Sequence, residues 1–103
     1  MTPPYYAVIF TSKHKEHSDD YDSMGARMFQ LTQQQPGFLG INSARNDDGS
    51  GITVCYWDSL EAIKNWKENA EHENAQHLGK TEWYAHYSVR IAKVEREYSM
   101  GEV

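Results

Sequence analysis

The chain has 103 residues, a formal net charge of -5 and a sequence pI near 5.4. Such a chain offers little of the basic surface that binds nucleic acid or anionic membranes. It also has no apolar run near the roughly 20 residues of a membrane span. Aromatic residues make up 13% of the sequence, which is typical of a folded globular protein and argues against disorder.

The length and the cysteine content predict one domain, residues 1–103, in a reducing compartment. About 100 residues can build a single hydrophobic core but not two. Cys55 is the only cysteine, so no internal disulfide can form. The opening stretch MTPPYYAVIF lacks the basic residues and the long apolar core of a signal peptide. We therefore expect a cytoplasmic protein.

The first half of the chain predicts a strand, a helix and a second strand. Tyr5–Ser12 is rich in aromatic and β-branched residues and is apolar on both alternating faces, which indicates a strand buried on both sides. Asp20–Gln34 is predicted as a helix because apolar residues recur at steps of three and four. Pro36 ends this helix in a Pro-Gly turn, and Phe38–Arg45 follows as the second strand.

The second half predicts a hairpin, a helical region and a long last strand. The polar turn NDDGSG leads into Ile52–Trp57, the third strand. Asp58 or Ser59 caps the next helix, and Asn69 is predicted to begin a further helical segment that ends at Gly79. The last strand is Trp83–Val94.

The element order β-α-β-β-α-β predicts a ferredoxin-like α+β fold, an antiparallel sheet with its helices on one face. Helices on one face leave the other face uncovered. The first strand is nevertheless apolar on both faces. The third strand carries apolar residues on both sides as well: Ile52, Val54 and Tyr56 on one, Cys55 and Trp57 on the other. We therefore expect a homodimer in which two sheets pack face to face.

Three segments carry a resemblance to a known family: QPGFLGINSAR, YWDSLEAIKNWKENAEHENAQHLGK and WYAHYSVRIAKVEREY. They resemble the antibiotic biosynthesis monooxygenase (ABM) family over about Tyr5–Tyr98, most specifically in Tyr56–Gly79. The resemblance implies a ferredoxin-like fold and a dimeric α/β barrel built from two sheets. It does not fix the activity, because the family includes cofactor-independent oxygenases of polyphenol intermediates, haem-degrading enzymes and proteins of other roles.

The stretch HENAQHLGK, residues 72–80, is close to the zinc-protease motif H-E-x-x-H but has one more residue between its histidines. Five residues of a helix turn His77 by roughly 140° from His72, so the two side chains cannot bind one zinc ion. Glu73 and His77 share a face but are too few ligands for a metal. We predict no metal site here. His72, Gln76 and Gly79 do share one helix face.

Haem binding is an alternative that the resemblance leaves open. Haem-degrading relatives place a ligating histidine near the end of the corresponding helix, and an ungapped alignment puts that position on Gln76, with His77 one residue late. Those relatives also carry an asparagine on the first strand, which YYAVIFTS lacks. Haem therefore ranks below a reaction without a cofactor.

A cofactor-independent oxygenase needs an aromatic pocket, a base and a group that stabilises an anion, because a deprotonated phenol can reduce oxygen directly. The candidate base is His72, oriented by Gln76, or His86. Arg90 or Arg45 is the candidate for stabilising the oxyanion. The predicted aromatic wall consists of Tyr56, Trp66, Trp83 and Tyr84.

Each candidate also has a structural interpretation. His72 can pack its ring against the sheet, and Trp66 lies on the apolar side of its helix, where a core position is common. His86, Ser88 and Arg90 can form a polar strip at a dimer interface. The sequence therefore leaves two functions open: an oxygenase of a small aromatic molecule, and a non-catalytic small-molecule-binding or stress-response protein on the same fold.

Overall fold

A computed structural model describes residues 1–14, 28–75 and 84–101. These residues form an antiparallel sheet of strands β1 (Tyr5–His14), β2 (Phe38–Arg45), β3 (Ser50–Trp57) and β4 (Tyr84–Val94). Residues 28–33 are helical and are called α1, and Leu60–Ala75 form helix α2. The strands lie side by side in the order β2-β3-β1-β4. This arrangement confirms the predicted ferredoxin-like α+β fold.

The predicted boundaries differ from the observed ones at three places. β1 continues to His14, and β3 begins at Ser50, so both strands are longer than predicted. The predicted new start at Asn69 is wrong, because α2 runs unbroken through this residue. The Asn69 side chain pairs with the segment just after α1 instead, since its Nδ2 donates to Gln35 Oε1 at 2.8 Å. Predicted helical positions 20–27 and 76–79, and Trp83, lie outside the described residues.

Helix α2 begins where a serine side chain satisfies a backbone amide that has no partner within the helix. Ser59 Oγ accepts from the Ala62 N–H at 3.1 Å, so Ser59 is the N-cap, one of the two predicted candidates. The Asp58 N–H is held by the Gly37 carbonyl at 2.9 Å. The turn before β2 therefore fixes the point at which β3 leaves the sheet and α2 starts.

The helix-side face is the face of the sheet on which α2 packs. Ala62 and Ile63 of α2 form a buried core with Val8, Cys55 and Trp57 of the sheet. Cross-strand pairing assigns the remaining strand residues to this face. They are Tyr6, Phe10 and Ser12 of β1, Phe38, Ile41, Ser43 and Arg45 of β2, Gly51 and Thr53 of β3, and Tyr87, Val89, Ile91 and Lys93 of β4.

The open face is the opposite side of the sheet. Its centre is apolar, and Ile52 on it is 41% exposed. One end is closed by the segment after β4, because the Tyr5 hydroxyl donates to Glu97 Oε2 at 2.7 Å, a bond that raises the pKa of Tyr5. The residues of this face are Tyr5, Ala7, Ile9, Thr11 and Lys13 of β1, Gly40, Asn42 and Ala44 of β2, Ser50, Ile52, Val54 and Tyr56 of β3, and His86, Ser88, Arg90, Ala92 and Val94 of β4.

Candidate functional site

Trp66 stands where both helices meet the sheet. Its ring lies 5.2 Å from that of Trp57 at an interplanar angle of 36°. Its Nε1–H donates to Thr32 Oγ1 at 2.9 Å, and the Thr32 hydroxyl donates to the Met28 carbonyl at 2.7 Å. Trp66 is half-buried and its indole N–H is satisfied, so the ring has one fixed orientation with part of its surface accessible.

Cys55 lies beneath this pair of indoles and is not available as a nucleophile. The Trp57 Nε1–H donates to Cys55 Sγ at 3.2 Å, and the thiol points to the Val8 carbonyl, 4.0 Å away. Burial raises the pKa of the Cys55 thiol, so it stays protonated at neutral pH. Cys55 therefore fills the core as a small, weakly polar residue.

Apolar side chains along β4 are exposed on the helix-side face. Tyr87, Val89 and Ile91 are 45%, 50% and 53% exposed, although they share a face with the buried core. Phe10 stacks on Tyr87 with the ring centroids 5.5 Å apart and an interplanar angle of 29°. We call these four residues the β4 surface. The alternation of apolar residues along β4 was visible in the sequence, but their accessibility was not, because it depends on how far the helices extend over the sheet.

Two polar side chains border the end of the β4 surface nearest Tyr87. Ser12 is 5% exposed and pairs with Tyr87 on β4 and with Gly51 on β3. The Arg45 guanidinium lies over Gly51, since a Cβ built on that glycine would be 3.0 Å from Arg45 Cζ. Arg45 is held there by a bond from Nη1 to the Gly49 carbonyl at 2.9 Å. A hydroxyl thus adjoins the aromatic surface, and a positive charge lies one strand further from Tyr87.

The open face carries three other predicted site residues. Tyr56 donates from its hydroxyl to Asn42 Oδ1 at 2.9 Å. Arg90 donates from Nη1 to Ser88 Oγ at 3.3 Å. His86 lies four positions before Arg90 on the same side of β4 and is exposed. The sheet therefore separates Tyr56, His86 and Arg90 from Trp66, and within one chain these residues do not line a common pocket.

His72 lies near the C-terminal end of α2, the helix that covers the helix-side face. Within residues 60–70 of α2, positions 62, 63 and 70 are buried. The backbone at position 72 is helical, and its side chain lies outside what the structure describes. Gln76 and Trp83 lie outside the described residues, and Tyr84 is the first residue of β4.

Residues 1–14, 28–75 and 84–101 contain no group of three or more His, Cys, Asp or Glu side chains that could hold a metal ion. His77, the residue on which the haem alternative depends, lies outside these ranges. In the same part of the chain, no helix has the length and apolar character that crossing a membrane requires.

Comparison with known proteins identifies the family. The sequence model of the family named Antibiotic biosynthesis monooxygenase matches residues 4–78. The chain belongs to the antibiotic biosynthesis monooxygenase family. This ABM protein is 50% identical over 95 residues to the uncharacterised protein YqjZ of Bacillus subtilis strain 168, which covers 92% of this chain and 83% of YqjZ.

Solved structures show the same fold at low sequence identity. SnoaB, a cofactor-independent oxygenase from Streptomyces nogalater, superimposes with a TM-score of 0.67 at 14% identity, over 96% of this chain and 99% of SnoaB. The protein NE2512 of Nitrosomonas europaea, whose function is unknown, gives a TM-score of 0.69 at 8% identity, over 95% and 97% of the two chains. The ABM fold is thus shared by an oxygenase and by a protein without an assigned role.

Proposed function

We propose that this ABM protein is a monooxygenase that oxidises a small, electron-rich aromatic substrate with O2 and without a bound cofactor. Family membership supports a monooxygenase-like role. SnoaB, which has the same fold, is a cofactor-independent oxygenase. The observation that carries the proposal is the β4 surface, where Phe10 and Tyr87 offer an accessible aromatic pair on the same side of the sheet as Trp66.

The substrate ring is proposed to lie on the β4 surface. Aromatic rings gain from stacking as well as from leaving water, and Tyr87, Val89 and Ile91 provide apolar area for both effects. Trp66 is retained as part of the proposed wall. Trp83 and Tyr84 are proposed to extend it, and Gln76 to orient His72, as the sequence predicts.

The proposed chemistry requires only the substrate and O2. In an anthrone, the methylene between two rings loses a proton, and the resulting anion delivers electrons to O2. One oxygen atom becomes the new ketone, and the other leaves as water with the two hydrogens of the methylene. The protein has to hold the ring, accept the proton and stabilise the anion.

The two arginine candidates lie on opposite sides of the sheet, and the helix that carries His72 lies on the side opposite to His86. This difference decides which arginine and which histidine are proposed for the site. Arg45 lies on the helix-side face with the β4 surface, whereas Arg90 lies on the open face. Arg45 is therefore the proposed partner of the anion. His72 belongs to α2, on the helix side, and His86 lies on the open face. His72 is therefore the proposed proton acceptor, passing the proton to water.

Oxygen consumption tests the proposed reaction. With dithranol, an anthrone, or with simple hydroquinones, we expect O2 uptake above the rate without protein, unchanged by a metal chelator. His72→Ala is expected to lower kcat/KM on the order of 100-fold, the low end for a general base. His86→Ala is the matched control, and its kcat/KM should stay within about threefold of that of the unmodified protein. Ligand binding without uptake across the panel would identify a non-catalytic binding protein.

The open face is proposed to be the interface of a homodimer. Ile9, Val54 and Ile52 form an apolar centre that a second sheet would cover. The bonded strip of Thr11, Ser88 and Arg90 would lie at the same contact, because the Thr11 and Ser88 hydroxyls are 2.7 Å apart. Under this proposal His86 and Arg90 belong to the interface. A cytoplasmic location is proposed with it, from the composition.

Light scattering after size exclusion tests the dimer. At micromolar concentration we expect twice the chain mass of 11.9 kDa. Ile52→Glu places a charge in the proposed interface and is expected to give the single-chain mass. Leu60→Glu alters a residue of similar exposure at the start of α2 and should leave the dimer intact. A single-chain mass for the unmodified protein would reject the interface.

A further inference from the structure

Ser12 is the buried side chain whose hydroxyl has no hydrogen-bond partner among the residues that the structure describes. It is 5% exposed. A buried hydroxyl without a partner is costly, and native proteins satisfy nearly all such groups with protein, water or ligand. Its neighbour Thr11, on the opposite face, shows the ordinary arrangement, because its hydroxyl lies 2.7 Å from that of Ser88. The Ser12 hydroxyl therefore needs a hydrogen-bond partner that the described residues do not supply.

The surroundings of Ser12 indicate the chemistry that would satisfy it. Tyr87 pairs with it across β4 and stacks on Phe10, so an aromatic surface begins at its side. On the other side, Gly51 contributes no side chain, and the Arg45 guanidinium occupies the space above that glycine. Adjacent strands are about 5 Å apart, so the hydroxyl and the positive charge lie roughly one strand spacing from each other.

We propose that Ser12 and Arg45 bind the phenolic oxygen of an aromatic ligand whose ring lies against Phe10 and Tyr87. The inference rests on the binding part of the proposed function and names the group that orients the substrate. Ser12 can accept a hydrogen bond from a phenol or donate one to a phenolate, and Arg45 favours the phenolate. The serine hydroxyl is thus a positioning group that distinguishes oxygen-bearing rings from plain hydrocarbons.

Binding without oxygen isolates this inference from the oxygenase reaction. The probes are 2-naphthol and 2-methylnaphthalene, which have the same ring system with and without the oxygen, titrated anaerobically by calorimetry. The unmodified protein is expected to bind 2-naphthol more tightly. Ser12→Ala should weaken 2-naphthol binding about fivefold, the usual effect of one hydrogen bond. The same variant should leave 2-methylnaphthalene binding unchanged, and Ser12→Thr, which keeps the hydroxyl, should retain the preference for 2-naphthol.

Thermal unfolding without ligand supplies an independent readout. Because the Ser12 hydroxyl lacks a partner, Ser12→Ala is expected to unfold at the same temperature as the unmodified protein or higher. Thr11→Val removes a hydroxyl that has a partner and should lower the midpoint. Equal 2-naphthol affinity in Ser12→Ala and the unmodified protein, or no 2-naphthol binding at all, would overturn the inference. Missing O2 uptake with intact, Ser12-dependent binding would overturn the oxygenase proposal alone.

Discussion

Trp57→Ala is expected to lower the free energy of unfolding by about 4 kcal/mol, within the range of large-to-small changes at aromatic core positions. Trp57 is 0% exposed and is the largest fully buried side chain of the described residues. Its ring contacts Phe38 edge to face, with the centroids 5.6 Å apart, and lies 5.2 Å from Trp66. Alanine would leave a cavity at the point where sheet and helices join.

Trp57→Phe is the control that separates the ring from its N–H group. Phenylalanine keeps most of the apolar contact but loses the bond from Nε1 to Cys55 Sγ, so a cost of about 1–2 kcal/mol is expected. Urea denaturation, monitored by far-UV circular dichroism, measures the free energy of unfolding of both variants by linear extrapolation. A cost below about 1 kcal/mol for Trp57→Ala would show that this part of the core can collapse around the cavity, contrary to the packing described.

Gly37→Ala is expected to lower the free energy of unfolding by about 3 kcal/mol, from backbone strain and overpacking together. Gly37 has φ +88°, a left-handed conformation that alanine adopts only with strain. A Cβ at this position would be 2.6 Å from both Ala62 Cβ and Asp58 Oδ1. The exposed Asp58 carboxylate can rotate away, but Ala62 cannot easily withdraw, because it is buried and its Cβ is fixed to the backbone of α2.

Gly40→Ala, three residues further along the chain and within β2, is the matched control. Its Cβ would meet Tyr56 Cδ2 at 3.8 Å, an ordinary contact, and its backbone is not left-handed. The change should cost less than about 1 kcal/mol, since removing a glycine from a strand also reduces the entropy of the unfolded chain. Chemical denaturation of the two variants side by side is the measurement. Similar costs at both positions would contradict the account of Gly37.

The strands were predictable because local chemistry and tertiary packing agree along them. Phe38–Arg45 has the same bounds in the prediction and in the structure, set by the Pro-Gly turn before it and the polar turn after it. Asn69 misled the prediction, since asparagine is a good N-cap but equally tolerates an exposed helix interior. In the structure the Asn69 side chain bonds to Gln35 and the helix continues through this residue.

The grouping of the candidate site residues could not be read from the sequence. Tyr56 and Trp66 both suit an aromatic wall, yet one points to the open face and the other packs on the helix side. Which face a strand residue takes depends on register across three strands, and no single segment encodes it. Ser12 gave no sequence signal either, because a missing hydrogen-bond partner is a property of the assembled fold.

The central position of β1 has a consequence for how this protein can change. The strand pairs with β3 on one side and β4 on the other, and its successive residues alternate between the two faces of the sheet. Deleting one residue near the start of β1 would put Ile9 and Thr11 on the helix-side face and Phe10 and Ser12 on the open face, because every side chain after the deletion changes face. Point substitutions in β1 can alter one surface at a time, but insertions and deletions cannot, so we expect its length to be invariant where both surfaces are in use.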